Sequence, residues 1–320
     1  MNYIVLDLEW NQCPYGKEHE DPTLPFEIVE IGAVRVSGNG EMDADFHENV
    51  CPTLYTRLHH ITRKVIHISE KDLAGCRTFP EVFADFISWC GENPVFCTWG
   101  PGDLTELQRN VRWHMNRGTI TGAWPFPYPL CFVDLQKIFA WYYGEDHTRR
   151  SLKNAVEYLH IHESEQFHDA FSDAHYTALV MKKLPADLFE KYYSIDTYIT
   201  PTSREDEIFV NYGPYTKFIS MPFDDRNDVM QDKVVSSMRC CVCNRKTRRK
   251  LFWFSENGRN MLCASICPEH GLLKGKARIR QNRNGKWYCV KTIRRITSAE
   301  YDVLKKKKAA IREKRRHRGD

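Results

Sequence analysis

Runs of apolar residues separated by turn-forming residues predict three strands at the start of the chain. Tyr3–Trp10 is an apolar run broken only by two acidic side chains, as expected for a strand buried in a sheet. Glu27–Val36 and Asp43–Val50 have the composition of two further strands. The turn residues Ser37–Gly40 separate them.

After these strands, the hydrophobic spacing changes to that of helices. Phe79–Cys90 carries an apolar stripe at helical intervals, and Pro94–Thr98 is typical of a short buried strand. Strands first and helices later favour a mixed sheet with helices on both sides. The further predicted helices begin after Asp103, cover Asp134–Tyr143, begin at Ser151 and cover Asp173–Lys183.

The rest of the chain has a different composition. Ile195–Asp232 is poor in helical pattern and rich in Pro, Asp and Asn, so we interpret it as a linker with some local strands. Two hairpin signals follow, Asn257-Gly258 and Asn284-Gly285, and the capping box Thr297–Glu300 begins a highly basic segment. The predicted organisation is a first domain over 1–190, a linker over 191–236, a β-rich module over 237–297 and a basic helix or arm over 298–320.

Charge is divided unevenly between these parts. Residues 1–200 carry 17 Lys or Arg and 29 Asp or Glu, whereas residues 201–320 carry 29 and 13. An acidic half that holds metal ions and a basic half that holds a polyanion would account for this division. No run of about 18 apolar residues is present, and Met1–Trp10 lacks the pattern of a secretory signal. We therefore expect a cytoplasmic protein without a membrane span.

Asp7 and Glu9 lie two residues apart on the first predicted strand, so both side chains point to one face of the sheet. Burying two carboxylates side by side is costly unless a positive group compensates them, and a divalent cation would do so directly. An edge strand with solvated acids, or an ion pair with Lys or Arg, is the alternative for this pair taken alone.

Two later segments add candidates for the same site. Asp103 follows a short strand and opens a helix, a position that is also typical of a helix N-cap. His168 stands five residues before Asp173, and the small residues Ala170 and Ala174 allow close packing around the pair. Taken alone, His168 would be interpreted as a core or surface histidine with satisfied hydrogen bonds.

In chain order these residues form D-x-E, a later Asp and H-x-A-x-x-D-A. This order resembles the DEDDh family of 3′→5′ exonucleases, over about residues 1–185. The resemblance implies an α/β, ribonuclease H-like fold with a mixed five-stranded sheet flanked by helices. The middle motif, Trp99-Gly100-x-x-Asp103, resembles the branch that trims small RNAs, histone-messenger tails and ribosomal RNA ends, including KapD-type proteins.

The resemblance implies hydrolysis of phosphodiester bonds with two metal ions. Asp7, Glu9, Asp103 and Asp173 match the four metal-binding acids residue by residue, and their oxygen ligands suit Mg²⁺ or Mn²⁺. We expect Asp103 to act through a water molecule. His168 matches the general base that takes a proton from the attacking water.

Two positions depart from the family pattern. Many members carry Thr directly after the D-x-E acid or one residue on, whereas Trp10 and Asn11 follow here. We expect Asn11 to contact nucleic acid and Trp10 to lie in the core. Gly102 precedes Asp103 where an aromatic residue is frequent. Both changes leave the metal ligands intact and leave the substrate preference open.

Six of the twelve cysteines crowd into Cys240–Cys289. The pairs C-x-x-C and C-x-x-H, separated by a predicted hairpin, suit a structural Zn²⁺ site with three Cys and one His. Reduced core cysteines are the competing interpretation, and Cys263 or Cys241 could replace a ligand. The proposed zinc ligands are Cys240, Cys243, Cys267 and His270.

The same module is rich in basic residues that could neutralise phosphates. We interpret the adjacent aromatic run Phe252–Phe254 as core of the module. Lys305–Arg318 holds nine Lys or Arg and one Glu and predicts a basic helix or a disordered arm along a phosphate backbone. The candidate nucleic-acid-binding residues are Arg245, Lys246, Arg248, Arg249 and Lys250.

The sequence therefore predicts a 3′→5′ exonuclease that prefers single-stranded RNA and whose basic zinc module holds the substrate. A DNA exonuclease is the alternative with the same chemistry, because no motif marks a contact with the 2′-hydroxyl. A non-catalytic nucleic-acid-binding protein on a nuclease-like fold is the alternative from another class. All five acid and base positions are present, which argues against it.

Overall fold

The computed structural model describes residues 2–66, 68–144, 148–162, 167–255 and 257–316. They form two compact units, Met1–Thr197 and Tyr198–Asp320. Among the described residues, no helix combines the length and apolar character needed to cross a membrane.

The first unit is a mixed sheet with helices. Its strands are β1 (Asn2–Gln12), β2 (Phe26–Ser37), β3 (Met42–Asn49), β4 (Val95–Thr98), β5 (Cys131–Asp134) and β6 (Ser194–Ile195). Its helices are α1 (Thr62–Val65), α2 (Glu70–Leu73), α3 (Phe79–Cys90), α4 (Gly102–Asn116), α5 (Leu135–Tyr142), α6 (Leu152–Tyr158), α7 (Ala170–Lys182) and α8 (Asp187–Lys191), with a 3-10 turn at Lys17–His19.

The strand order of this sheet is β3-β2-β1-β4-β5-β6. β1 pairs antiparallel with β2 and parallel with β4, so β1 lies between its two neighbours near the centre of the sheet. The predicted α/β class with a mixed sheet and flanking helices is confirmed. The five expected strands are joined by the two-residue strand β6, which pairs with β5 at one edge.

Side chains of β1 alternate between two apolar cores. Ile4, Leu6 and Leu8 pack with residues of α3 and α4 on one face. Tyr3 and Val5 pack with residues of α5, α7 and α8 on the other. Because side chains alternate along a strand, Asp7 and Glu9 continue the face of Tyr3 and Val5. The predicted pair of acids therefore projects toward the side of the sheet that carries α7.

Helix α7 reaches the sheet at a glycine. Gly32 lies opposite Asp7 in the β1–β2 register, and a Cβ atom at residue 32 would lie 2.1 Å from the carbonyl carbon of Ala170. No real Cβ tolerates so short a distance to backbone atoms. The absence of a side chain at Gly32 therefore allows the first turn of α7 to approach β1.

The second unit is an antiparallel sheet with the order β7-β8-β12-β11-β10-β9. Its strands are β7 (Ile208–Asn211), β8 (Tyr215–Ile219), β9 (Arg248–Ser255), β10 (Asn260–Cys267), β11 (Gly271–Gln281) and β12 (Trp287–Arg295). Its helices are α9 (Asp228–Gln231), α10 (Lys233–Ser236) and α11 (Ser298–Arg316).

The structure differs from the predicted boundaries in this half of the chain. Much of the segment interpreted as a linker, 191–236, belongs to the second unit, because β8 pairs along β12 and adds β7 to the same sheet. Local strands were expected in this segment, but its composition did not show that they pair with β12 as part of the second unit's sheet. The basic last segment forms α11 as far as Arg316, and residues 317–320 of the predicted helix or arm lie outside the described residues.

We expect Gly32→Ala to destabilise the first unit by more than about 2 kcal/mol, because the added methyl group overlaps the backbone of α7. Thermal unfolding followed by circular dichroism measures the effect. Gly102→Ala is the matched control, since a Cβ there would lie 3.8 Å from the nearest atom, in Trp10. Equal melting temperatures for the two variants would contradict this account of the packing.

Candidate active site

Asp7 and Glu9 occupy the middle and end of β1, where the strand meets α7. Glu9 lies directly opposite Glu30 in the β1–β2 register, and a bulge follows between Glu9 and Trp10. Like charges placed opposite one another across a strand pair repel. β1 and β2 therefore place the carboxylates of Asp7, Glu9 and Glu30 in the same part of the sheet.

Asp103 reaches the same place from α4. It is the second residue of that helix and is only 8% exposed. Among the charged neighbours that raise the pKa of Asp7, Asp103 contributes most. The N-cap role that we considered for Asp103 is not observed, because Pro101 occupies the N-cap.

α7 and the residues before it supply the remaining predicted groups. A ring nitrogen of His168 and carboxylate oxygens of Glu9 and Asp173 lie within 4.8 Å of one another. The backbone N–H of His168 donates to Oδ2 of Asp173 at 3.4 Å. Oδ1 of Asp173 is buried and has no hydrogen-bond partner among the described residues. This oxygen is available to an added cation.

His168 has an unusual backbone conformation. Its φ of 69° lies in the left-handed region, which non-glycine residues seldom adopt. Such strain persists where the surrounding structure over-determines it and is frequent at functional sites. His168 is the last residue before the N-cap of α7. That N-cap is Asp169, whose side chain accepts a hydrogen bond from the backbone N–H of Ser172 at 2.8 Å.

Burial and mutual repulsion make this cluster reluctant to ionise without a counter-charge. Burial, then Glu30 and the other acids, raises the pKa of Glu9 to about 8. Burial raises the pKa of Asp103 to about 7 and that of Asp173 to about 6. Burial and the same neighbours raise the pKa of Asp7 well above its ordinary value. Divalent cations would supply the missing positive charge.

Glu30 is a functional-site neighbour that sequence reasoning missed. Its carboxylate is compensated within the protein: His47 lies 2.7 Å away through Nε2, and the backbone N–H of Ala170 donates to it at 3.2 Å. The hydrogen bond to Glu30 raises the pKa of His47. Glu30 and His47 stand on different strands. Their proximity to Glu9 therefore follows only from how β1, β2 and β3 pair, which the sequence does not show.

The predicted role of Asn11 in binding nucleic acid is wrong. Asn11 is fully buried, and its amide nitrogen donates to the carbonyl oxygens of Tyr55 and Arg57 at 2.9 Å and 2.7 Å. Its carbonyl oxygen accepts from the backbone of His59 at 2.9 Å. These bonds leave no polar group for a substrate, so Asn11 fixes the loop that carries Arg57 and His59.

Trp10 is partly buried in the core, as expected, and packs against Phe26. Its ring also lies beside Gly102, where an aromatic residue was expected from the family pattern. In this chain the aromatic ring next to the helix that carries Asp103 therefore comes from β1.

The second unit brings the predicted zinc ligands together. Ligand atoms of Cys240, Cys243, Cys267 and His270 lie within 4.8 Å of one another. The Sγ atoms of Cys243 and Cys267 are 3.7 Å apart, and Sγ of Cys267 is 3.6 Å from Nδ1 of His270. A tetrahedral zinc with Zn–S bonds of about 2.3 Å places neighbouring sulfurs about 3.8 Å apart.

The competing cysteines lie elsewhere. Cys263 is buried beside Gly275, and Cys241 lies in the adjoining apolar core. Burial opposes ionisation of Cys267, but hydrogen bonds from His270 and from the backbone outweigh it and lower the pKa to about 6. A thiolate is the form that ligates metals. The observed arrangement therefore fits zinc at the four predicted positions.

The five candidate nucleic-acid-binding residues are all exposed. Arg245 forms an ion pair with Glu269. Among the described residues, the other four cations of this set form no ion pair with a carboxylate. The aromatic run differs from the prediction at one residue. Phe254 is buried and Trp253 is partly buried, whereas Phe252 is exposed.

A family model described as an exonuclease, RNase_T, matches residues 5–181. The chain belongs to this exonuclease family. Within the matched region, the order of the four acids and His168 is that of the DEDDh type of 3′→5′ exonuclease. Divalent metal ions are therefore part of the exonuclease's chemistry.

Three nucleases are among the solved structures to which this chain is similar. The nuclease domain of 3'hExo, a DEDDh family member, bound to rAMP, is 19% identical, with 61% of this chain and 96% of that chain covered and a TM-score of 0.49. Cell-death related nuclease 4 is 17% identical, with 61% and 65% covered and a TM-score of 0.47. Exonuclease I of E. coli in complex with an oligonucleotide is 12% identical, with 82% and 54% covered and a TM-score of 0.43. A sequence search of curated proteins found no match.

The raised pKa values predict how the stability of the exonuclease depends on pH. Glu9 and Asp103 titrate near 8 and 7 in the folded protein, against about 4 in an unfolded chain. Between about pH 4 and pH 8 the folded state therefore holds more protons, and stability falls as pH rises. We expect the melting temperature without Mg²⁺ or Mn²⁺ to fall through this range, and added Mn²⁺ to raise it more at pH 8 than at pH 6.

Differential scanning fluorimetry on protein dialysed without a chelator, which leaves structural zinc in place, measures this dependence. Glu9→Gln should flatten both the pH dependence and the Mn²⁺ effect, whereas Asp187→Asn, an exposed acid at the start of α8, should change neither. A melting temperature insensitive to Mn²⁺ at pH 8 would contradict the metal site.

Proposed function

We propose that the protein is a metal-dependent 3′→5′ exoribonuclease that removes nucleotides from the ends of single-stranded RNA or RNA overhangs. The observation that carries the proposal is the convergence of Asp7, Glu9 and Asp173 from β1 and α7, with Asp103 from the first turn of α4, in one cluster of interacting carboxylates. Each acid has a raised pKa, and the group holds more negative charge than the described protein compensates.

These residues fit two Mg²⁺ or Mn²⁺ ions, whose chemistry when bound is to activate water and to stabilise the leaving oxygen of the phosphodiester. The free Oδ1 of Asp173 supports this assignment, because a buried carboxylate oxygen without a partner is costly. Glu30 is not a ligand in this proposal, since His47 and the first turn of α7 already compensate it.

His168 is the proposed general base. Its exposed ring lies within 4.8 Å of the carboxylates of Glu9 and Asp173, so it borders the place where the scissile phosphate would bind. A water molecule between this ring and the phosphate would lose its proton to the imidazole as the bond to phosphorus forms. The left-handed backbone of His168 supports a fixed orientation for this transfer.

Nucleic acid is the proposed partner, with RNA favoured over DNA. The middle motif, Trp99-Gly100-x-x-Asp103, is similar to that of the RNA-trimming branch. The exposed cations of β9 and the segment before it, in a unit with a large excess of Lys and Arg, suit a phosphate backbone.

A structural Zn²⁺ at Cys240, Cys243, Cys267 and His270 completes the proposal. The four ligands leave no open coordination position, so this ion would stabilise the fold and would not take part in hydrolysis. It would tie the segment before β9 to the turn between β10 and β11. We propose a cytoplasmic location, in which the thiols stay reduced.

Incubation with RNA and DNA strands labelled at the 5′ end, with Mg²⁺, Mn²⁺ or neither, tests the function. We expect a ladder of products shortened from the 3′ end, formed faster from RNA and only with added metal. Asp173→Asn should abolish the ladder, whereas Asp187→Asn, an exposed acid of the same unit, should leave it intact. Internal cleavage, or a ladder without metal, would refute the proposal.

The same assay separates the base from the metal ligands. We expect His168→Ala to lower turnover by about 10²–10⁴-fold, the usual contribution of a general base, while Mn²⁺ still raises the melting temperature. Asp7→Asn should lose both turnover and the Mn²⁺ effect. His162→Ala is the control, since His162 is exposed in the segment before His168. Wild-type turnover of His168→Ala would remove the base assignment.

Metal analysis of the purified protein should find about one zinc per chain. We expect Cys267→Ala to lose this zinc and to lower the melting temperature of the second unit, because metal binding and folding are coupled. Cys263→Ala should retain zinc, since Cys263 is buried outside the cluster. Loss of zinc from Cys263→Ala but not from Cys267→Ala would reverse the ligand assignment.

A further inference from the structure

Phe252 stands out on the surface of the second unit because it is 64% exposed in a strand whose neighbouring aromatic residues point inward. Burying a phenylalanine side chain contributes about 1.5–3 kcal/mol to stability, and this position forgoes most of it. Single exposed apolar residues are common and by themselves indicate no site. The surroundings of Phe252 carry the inference.

A β-bulge holds Phe252 outward. Phe254 pairs with Leu262 and Leu251 pairs with Ala264, so two residues of β9 lie opposite the single residue between those partners on β10. The bulge turns Trp253 inward, where its Nε1 donates to the carbonyl oxygen of Ser236 at 2.9 Å. The extra residue leaves Phe252 on the outside of the edge strand of the sheet.

Two cations lie against this ring. Cζ of Arg249 is 4.4 Å from the centroid of Phe252, and Nζ of Lys308 is 5.9 Å from it. Nζ of Lys308 also donates to the carbonyl oxygen of Phe252 at 3.3 Å. Within the part of the chain that the structure describes, neither cation forms an ion pair with a carboxylate.

The position of Lys308 is fixed by packing. It follows Leu304 by four residues on α11, and Leu304 is buried against Phe254, Leu262 and Ala264. α11 therefore lies on the sheet beside the bulge. Its exposed lysines, and Arg248 and Lys250 of β9, extend the positive charge around the ring.

We propose that Phe252, Arg249 and Lys308 form a binding site for single-stranded nucleic acid. One unpaired base stacks on the Phe252 ring, and the two cations contact the phosphates that flank it. An acidic peptide would satisfy the cations but offers no planar group to stack on the ring, and the bases of a duplex are already stacked on one another. The proposal rests on the proposed function only in taking nucleic acid as the ligand.

Fluorescence anisotropy with the full-length protein tests the site. The probe is a labelled oligouridine of about 12 nucleotides, in the size range of single-strand binding sites, without Mg²⁺, Mn²⁺ or chelator. We expect Phe252→Ala to raise Kd about tenfold, as for loss of one stacked base, and Phe252→Trp to retain affinity with its fluorescence quenched on binding. Phe209→Ala is the matched control, since Phe209 is 54% exposed on β7 at the opposite edge of the same sheet.

Salt dependence separates the cations from the ring. We expect Arg249→Gln and Lys308→Gln each to reduce the slope of log Kd against log salt concentration by about one, the value for a lost phosphate contact. Phe252→Ala should leave the slope unchanged. Affinity for a duplex of the same length should change less than twofold in Phe252→Ala.

Equal Kd values for Phe252→Ala and Phe209→Ala would overturn the site. So would a loss of affinity in Phe252→Ala that is equal for single strand and duplex. The site is also wrong if Phe252→Ala weakens the binding of a competing poly-glutamate peptide as much as it weakens the binding of the oligonucleotide.

Hydrolysis of a dinucleotide with Mn²⁺ is measured in parallel. If the wild type binds through Phe252 but hydrolyses nothing, the nuclease proposal fails and the site stands. If it hydrolyses and Phe252→Ala binds as the wild type does, the site fails alone.

Discussion

Mutual repulsion of buried carboxylates is the constraint around which the first unit is built. β1 is apolar on one face, but on the other face its apolar pattern is interrupted by Asp7 and Glu9. α4 and α7 bring two more acids to that interruption. An apolar core would exclude such a group unless cations neutralised it. The fold therefore holds together carboxyl groups whose ionised forms need protons or bound cations to neutralise them.

The β1–β2 pair shows how the protein compensates one acid and leaves its neighbour available. Glu9 and Glu30 lie opposite one another. Glu30 receives His47 from β3 and a backbone N–H from α7, whereas no hydrogen bond reaches the side chain of Glu9 among the described residues. The compensated acid holds three elements together, and the uncompensated acid is the one that we propose as a metal ligand. Gly32 makes the arrangement possible, because α7 could not reach Glu30 past a side chain.

The sequence predicted the strands β1 to β4, the main helices, and which acids and which Cys and His residues lie together, because periodicity and motif spacing are local properties of the chain. It missed what depends on pairing between strands. Glu30 and His47 come together only through sheet register, and the local strands expected in the linker segment join the second unit only through the pairing of β8 with β12. Asn11 was misassigned because the sequence does not show that residues 55–59 fold back onto its side chain.

Phe252 illustrates the same limit on the second unit. An aromatic triplet in a strand ordinarily alternates between faces, which places residues 252 and 254 together. The bulge opposite β10 breaks that alternation, so Phe254 joins the core with Leu304 while Phe252 leaves it. A one-residue irregularity therefore decides which ring supports the fold and which one is free for a ligand. Because α11 packs over Phe254, the buried ring of Phe254 also fixes the position of Lys308, which flanks the exposed ring of Phe252.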